Sequence, residues 1–179
     1  MSSIIVFHAS SRTLGNTATI ANYLSDKLSA TSIDLSAHKM APFSYDNDYS
    51  PTDEFMGIIE QTIAADQWVL VTPIYWYTMS AQMKTFLDRF SDLLRYHQGL
   101  LPALTGKHLW TVAVGSDHEA VPHFFEPFRL SADYLAMYYG GDLHTWLGRT
   151  PVMKPEVQIL LDRFIENILH KKGQKEREK

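Results

Sequence analysis

Apolar residues in this chain arrive either in short unbroken runs or at helical spacing, and the two patterns take turns. Residues 4–7 (Ile-Ile-Val-Phe) and 68–71 (Trp-Val-Leu-Val) are such runs, and 109–114 (Leu-Trp-Thr-Val-Ala-Val) is broken only by Thr111. Sparse polar alternation marks a strand covered on both faces, as at the centre of a parallel sheet. Strands are predicted at 4–8, 68–72 and 108–114, with shorter ones at 32–35 and 142–147. Helical spacing predicts a helix over 17–28, with Ile20, Ala21, Leu24 and Leu28 inward and Asn16 as N-cap. Another is expected at about 53–65. A third, over 80–94, carries Met83, Phe86, Leu87, Phe90, Leu93 and Leu94 on one stripe, with Gln82, Lys84, Asp88, Arg89 and Asp92 on the other side. A fourth is predicted over 126–139, closed by Gly140 and Gly141. The last begins near Pro155 and turns Val157, Leu160, Leu161, Phe164, Ile168 and Leu169 inward.

Strands alternating with helices imply an α/β fold with helices on both faces of the sheet. Five units fit the flavodoxin-like, doubly wound five-stranded parallel sheet of order 2-1-3-4-5. In that order the loops after the first and third strands lie side by side at the carboxyl edge, where such sheets bind ligands. Pro73 has no N–H to continue a central ladder, so the chain must leave the sheet there and present Ile74, Tyr75, Trp76 and Tyr77 at that edge. The segment 36–52 holds Pro42, Asp46, Asn47, Asp48 and Pro51 and reads as a long surface excursion. Its aromatics Phe43, Tyr45 and Tyr49 are expected to border the pocket, of this subunit or of a neighbour.

Composition narrows the chemistry. A chain of 179 residues suits one domain, taken here as 1–170, followed by a charged tail at 171–179 expected to be disordered. The net charge of -4 argues against a nucleic-acid surface, which needs clustered Lys and Arg. Cysteine is absent, which excludes disulfides, thiol nucleophiles and cysteine-held clusters, so redox chemistry would require a bound organic cofactor. The first residues lack a basic n-region and no apolar stretch approaches the roughly 20 residues of a membrane span, so a soluble cytoplasmic protein is expected. The eight histidines include no His-Glu-x-x-His pattern, and no metal site is predicted. His118 and His123 are expected to shape the mouth of the site, and His8 to be a packed strand-end residue.

The loop after the first strand reads Ala9-Ser10-Ser11-Arg12-Thr13-Leu14-Gly15-Asn16-Thr17. Its hydroxyls and its Arg fork are hydrogen-bond donors, and the following helix points free backbone N–H groups at the same place, which suits a terminal phosphate. It matches neither the P-loop nor the dinucleotide Gly-x-Gly-x-x-Gly pattern, which disfavours ATP and a Rossmann-bound NAD.

This loop resembles the Gly-Ser-x-Arg-x-x-Gly-Asn-Thr phosphate loop of the NADPH-dependent FMN reductase and NAD(P)H quinone reductase family of flavodoxin-like flavoproteins. The stretches 72–76 (Thr-Pro-Ile-Tyr-Trp) and 80–89 (Ser-Ala-Gln-Met-Lys-Thr-Phe-Leu-Asp-Arg) resemble that family's second signature. Ala9 stands where the family usually has Gly, and Ser80 where Pro is common. The resemblance implies that Ser10, Arg12, Asn16 and Thr17 hold an FMN phosphate. It implies that Pro73, Ile74, Tyr75, Trp76 and Tyr77 line the isoalloxazine edge and that Gly115 and Ser116 meet the flavin from the other side. No side chain is assigned as catalytic, because the cofactor carries the hydride chemistry. Lys84, Asp88 and Arg89 are read as solvated or ion-paired at a subunit contact.

The implied activity is FMN-dependent NAD(P)H oxidation with reduction of a quinone, flavin or azo-type acceptor, by ping-pong hydride transfer. NADPH or NADH is the co-substrate, and a homodimer or homotetramer is implied. The alternative from another class is a flavodoxin-like electron carrier without a nicotinamide substrate.

Overall fold

The computed structural model describes residues 3–177. Five parallel strands, β1 (Ile4–His8), β2 (Thr31–Asp34), β3 (Gln67–Pro73), β4 (His108–Gly115) and β5 (Tyr138–Trp146), form one sheet in the order β2-β1-β3-β4-β5. The helices are α1 (Asn16–Leu28), α2 (Phe55–Thr62), α3 (Ala81–Asp88), α4 (Phe90–Arg95), α5 (Glu126–Tyr134) and α6 (Pro155–Arg177). The flavodoxin-like fold read from the sequence is therefore the observed one.

Every residue of β1 and β3 is buried, and successive residues feed opposite faces. Ile5, Phe7, Trp68 and Leu70 join Leu109 and Ala113 under α2, α3, α4 and α5. Ile4, Val6, Val69 and Val71 join Trp110, Val112 and Val114 under α1 and α6. Period-two side-chain direction on a sheet covered twice explains why these strands lack polar alternation. The final helix turns Ile165 inward, whereas Leu169, expected inside, is 40% exposed.

Three boundaries differ from expectation. The helix predicted over 126–139 ends at Tyr134 in a Schellman-type turn, with Met137 N–H donating to Ala132 O (2.9 Å) and Ala136 in the left-handed region (φ 54°). Gly140 and Gly141 therefore lie inside β5 and do not cap a helix. A β-carbon on Gly140 would stand 2.4 Å from Trp110 Cε2, so the indole occupies the space that any side chain there would need. The stretch 80–94 is two helices that meet at Arg89. At the carboxyl end, α6 continues to Arg177, through the segment whose charge reads as a tail; residues 178 and 179 lie outside the described residues.

The excursion after β2 is fastened on the side of α4. Tyr49 Oη donates to Asp92 Oδ1 (2.9 Å), Tyr96 Oη donates to Tyr45 O (2.7 Å), and Arg89 Nη1 donates to Ala41 O (3.0 Å). Among the described residues no helix is long and apolar enough to cross a membrane.

Candidate flavin site at the carboxyl edge of the sheet

The loops after β1, β3, β4 and β5 converge at one edge and enclose two adjoining cavities of about 530 and 550 Å³, which share Ile74, Gly115 and Ser116. The first is walled by Ser10, Ser11, Arg12, Asn16 and Thr17 from the β1 loop, Pro73, Ile74 and Tyr75 from the β3 loop, and Gly148 and Arg149 from the β5 loop. The second adds Trp76, Tyr77, Asp117 and residues 119–122. All of the residues predicted for the site thus line one cavity or the other.

The β1 loop is held from three sides. Ser36 Oγ accepts from Ser10 N (3.0 Å) and donates to Ser10 O (2.9 Å), fixing the first turn of the loop. Ser10 Oγ accepts from Arg12 N (3.3 Å). Across the cavity floor, Tyr75 Oη lies 3.2 Å from Ser10 Oγ and 2.8 Å from Ser11 Oγ, joining the first loop directly to the third. Burial alone would raise the Tyr75 hydroxyl, but its bonds to Ser10 and Ser11 and the nearby Arg12 charge outweigh that and lower its pKa below the usual 10.0.

At the start of α1 the sequence reading needs one correction. Gly15 is the N-cap and forms no side-chain cap bond, and Asn16 is the first helical residue. The Asn16 side chain is engaged elsewhere, donating from Nδ2 to Gly148 O (2.8 Å). The helix opening therefore keeps N–H groups with no side-chain cap, facing the cavity. Thr17 is only 2% exposed, lines the cavity, and its hydroxyl has no hydrogen-bond partner among the described residues. A buried hydroxyl without a partner costs free energy, and such groups are rare in native folds.

The β3 loop turns back within two residues. Tyr75 and Thr78 exchange backbone bonds of 2.9 and 3.1 Å, with Trp76 (φ 48°) and Tyr77 (φ 66°) both left-handed, as in a type I′ turn. Bulky residues seldom adopt this conformation, and backbone strain of this kind clusters at functional sites. Its result is that Trp76 and Tyr77 stand out from the edge at 92% and 75% exposure. Where the resembled family carries Pro, Ser80 Oγ accepts from Met83 N (3.3 Å) to cap α3 and donates to Ala9 O (3.2 Å). That second bond ties the helix to the phosphate-type loop, and Ala9 itself is fully buried.

On the β4 side, a β-carbon on Gly115 would lie 2.8 Å from His144 Cε1 and 3.3 Å from Asp117 O, so a side chain there would have to push the imidazole aside. His144 Nε2 in turn sits 3.0 Å from Asp117 O and steadies the β4 loop. The bond from Glu119 N and that from Ser116 Oγ hold the Asp117 carboxyl below its ordinary value.

Other expectations shift. His118 lies beside Trp146 (ring centroids 6.2 Å apart), and neither it nor His123 is in the cavity walls; Asp117 and residues 119–122 form that mouth. The aromatic segment 43–49 contributes to neither cavity, because Tyr45 and Tyr49 are bonded to α4 and its flank. Arg89 is fully buried between Asp53 and Asp92. His8 is packed at the strand end, where burial lowers its pKa against the opposing pull of Asp34. No cluster of three metal-ligating side chains exists among the described residues.

Sequence reasoning missed Ser36, Gly148 and Arg149. The β5 loop was accessible to it in principle, because in a parallel sheet every loop that follows a strand emerges at this same edge.

Comparison with known proteins shows likenesses in sequence and in fold. A putative NAD(P)H-dependent FMN-containing oxidoreductase of Bacillus subtilis, YwqN, is 28% identical over 125 residues, covering 66% of this chain and 69% of its own. The structure of the Trp repressor binding protein from Bacillus subtilis superposes with a TM-score of 0.71 at 23% identity, over 89% of this chain and 94% of that one. An NADPH-quinone reductase from P. pentosaceus gives 0.66 at 21% identity, over 93% and 96%. An FMN-dependent NADH-azoreductase from Bacillus anthracis, in complex with FMN, gives 0.64 at 12% identity, over 96% and 99%. Likenesses this distant in sequence show the shared fold. The family model of NADPH-dependent FMN reductases matches residues 2–138, a span that contains both the loop 9–17 and the turn 73–80, and the chain belongs to that family.

Proposed function

We propose that this protein is an FMN-dependent NAD(P)H oxidoreductase that reduces a quinone, flavin or azo-type acceptor by a ping-pong cycle. The observation that carries the reading is the buried, unpartnered Thr17 hydroxyl in a cavity walled by Ser10, Arg12 and the uncapped start of α1. A phosphate oxygen satisfies that donor set. Ser10, Arg12 and Thr17 would hold the FMN phosphate through side chains, and Asn16 through its backbone N–H.

Pro73, Ile74 and Tyr75 would flank the ring on one side, with Gly115 and Ser116 on the other. When bound, FMN supplies the two-electron exchange with nicotinamide and acceptor; the chain supplies binding, orientation and a dry edge. Trp76 and Tyr77 offer exposed aromatic faces beside the second cavity, suited to a flat substrate. One such face serves donor and acceptor in turn, which supports ping-pong order. A cytoplasmic homodimer or homotetramer goes with this reading, supported by the exposed Leu130 and Tyr134 beside Leu87 and Leu94.

The test is anaerobic mixing of the FMN-loaded protein with NADPH or NADH, followed by a quinone, flavin and azo panel. Rapid bleaching by the nicotinamide, and parallel double-reciprocal plots, are expected. Absence of bleaching would assign the protein to electron carriage, and intersecting plots would exclude the ping-pong order.

A further inference from the structure

Arg149 follows β5 on the connection to α6, next to Gly148, which lies 132 residues along the chain from its bonding partner Asn16. Two features bring it to the phosphate end of the site. Gly148 adopts φ +75°, a left-handed turn that redirects the chain after β5. Asn16 Nδ2 then holds Gly148 O at 2.8 Å, fastening this loop to the opening of α1.

The charge distribution is polar along the site. Arg12 and Arg149 are the charged side chains lining the first cavity, and neither has a carboxylate partner among the described residues. The second cavity is lined by Asp117 and Glu119 and by no Lys or Arg. Two guanidinium groups without a carboxylate partner among the described residues, lining the same cavity as the buried and unpartnered Thr17 hydroxyl, match a ligand that brings about two negative charges to one end. A flavin monophosphate does so at its terminal phosphate, at about -1.5 to -2 near pH 7. One arginine would leave much of that charge unbalanced, and the planar fork of a second supplies directed donors to further phosphate oxygens.

We propose that Arg149 is the second arm of the phosphate clamp and sets the preference of the site for FMN over dephosphorylated riboflavin. The inference rests on the FMN reading above. An extra phosphate on the nicotinamide donor is the less fitting partner, because Arg149 is absent from the cavity that Trp76 and Tyr77 border.

The experiment is a titration of the apoprotein with FMN and with riboflavin, followed by quenching of flavin fluorescence. For R149A the Kd for FMN should rise about 10- to 100-fold, the loss of a hydrogen bond to a charged group, while the Kd for riboflavin should stay within about twofold. R149K should lie between R149A and the wild type for FMN. Arg149 is exposed, so the apoprotein Tm of R149A should equal that of the wild type, and the upward shift that FMN produces should shrink. Equal affinities in R149A and wild type overturn the proposal, as does equal weakening for both flavins. Unchanged FMN binding with a raised KM for NADPH relative to NADH also overturns it, by moving Arg149 to the donor. A wild-type apoprotein that binds neither flavin would instead refute the FMN reading itself, and the proposal with it.

Discussion

Replacing Arg89 tests the assembly of the fold away from the flavin edge. This side chain is 1% exposed; its Nε bonds Asp92 Oδ2 at 2.5 Å, its Nη1 bonds Asp53 Oδ2 at 2.8 Å, and the Tyr49 ring lies 3.6 Å from its guanidinium carbon. Asp53 and Asp92 are themselves nearly buried. Arg89→Ala leaves two buried carboxylates facing each other without a cation, and removing one partner of such a group costs about 3–5 kcal/mol. Domains of this size are stable by about 5–15 kcal/mol, so the variant should lose between about a fifth and all of that stability.

Urea unfolding, read by far-UV circular dichroism and tryptophan fluorescence, should show that loss as a lower midpoint. Arg89→Lys keeps the charge and loses the fork, and should recover only part of it. Combining Arg89→Met with Asp53→Asn and Asp92→Asn should cost less than Arg89→Met alone, since the uncompensated charges go with it.

The network also sets an acid limit. Burial would raise the Asp53 carboxyl, but bonds from Arg89 and from the N–H groups of Ala41 and Phe55 outweigh it and depress its pKa below 3.8. The stability from a depressed carboxyl is present above its unfolded value and is lost as pH falls through the folded one. The wild type should therefore lose this contribution only below about pH 4, and Arg89→Ala, which keeps the Ala41 and Phe55 bonds, should show a smaller acid-dependent loss. A cost under about 1 kcal/mol for Arg89→Ala, the range of an exposed pair, would refute the buried-network account.

Thr17→Val removes the unpartnered hydroxyl and should leave apoprotein stability equal or higher, by up to about 1 kcal/mol, while FMN affinity falls about 5- to 10-fold; a less stable apoprotein in a thermal melt would contradict the assignment. Gly115→Ala should cost about 1–3 kcal/mol as the new β-carbon meets His144, and His144→Ala in the same chain should recover most of it, so additive losses in denaturant titration would exclude the contact. In Tyr75→Phe an absorbance titration of the apoprotein should lose tyrosine amplitude below pH 10.0, because that hydroxyl ionises below its usual value; amplitude lost only above pH 10.0 would show that Ser10, Ser11 and Arg12 do not act on it.

The unbroken apolar runs at 4–7 and 68–71 determined the central strands by themselves, because a strand buried on both faces has no room for polar alternation. Their order puts the loop 9–17 beside the turn after Pro73, and so the Ser10, Arg12, Tyr75 group is legible in the sequence. Local pattern failed where a residue answers to a distant neighbour. Gly140 and Gly141 look like a helix stop, yet they are strand residues because Trp110 of β4 fills their side-chain space. Asn16 looks like a cap, and its amide is taken by Gly148 from the far end of the chain. Arg89 reads as solvated or ion-paired at a subunit contact, and the tertiary fold instead buries it within the chain between Asp53 and Asp92. Arg149 carries no signature in the chain and reaches the site only because the β5 loop is tied to α1. Periodicity records which side of an element is buried; what covers it, and which charges meet there, is decided by chain closure between segments that share no local signal.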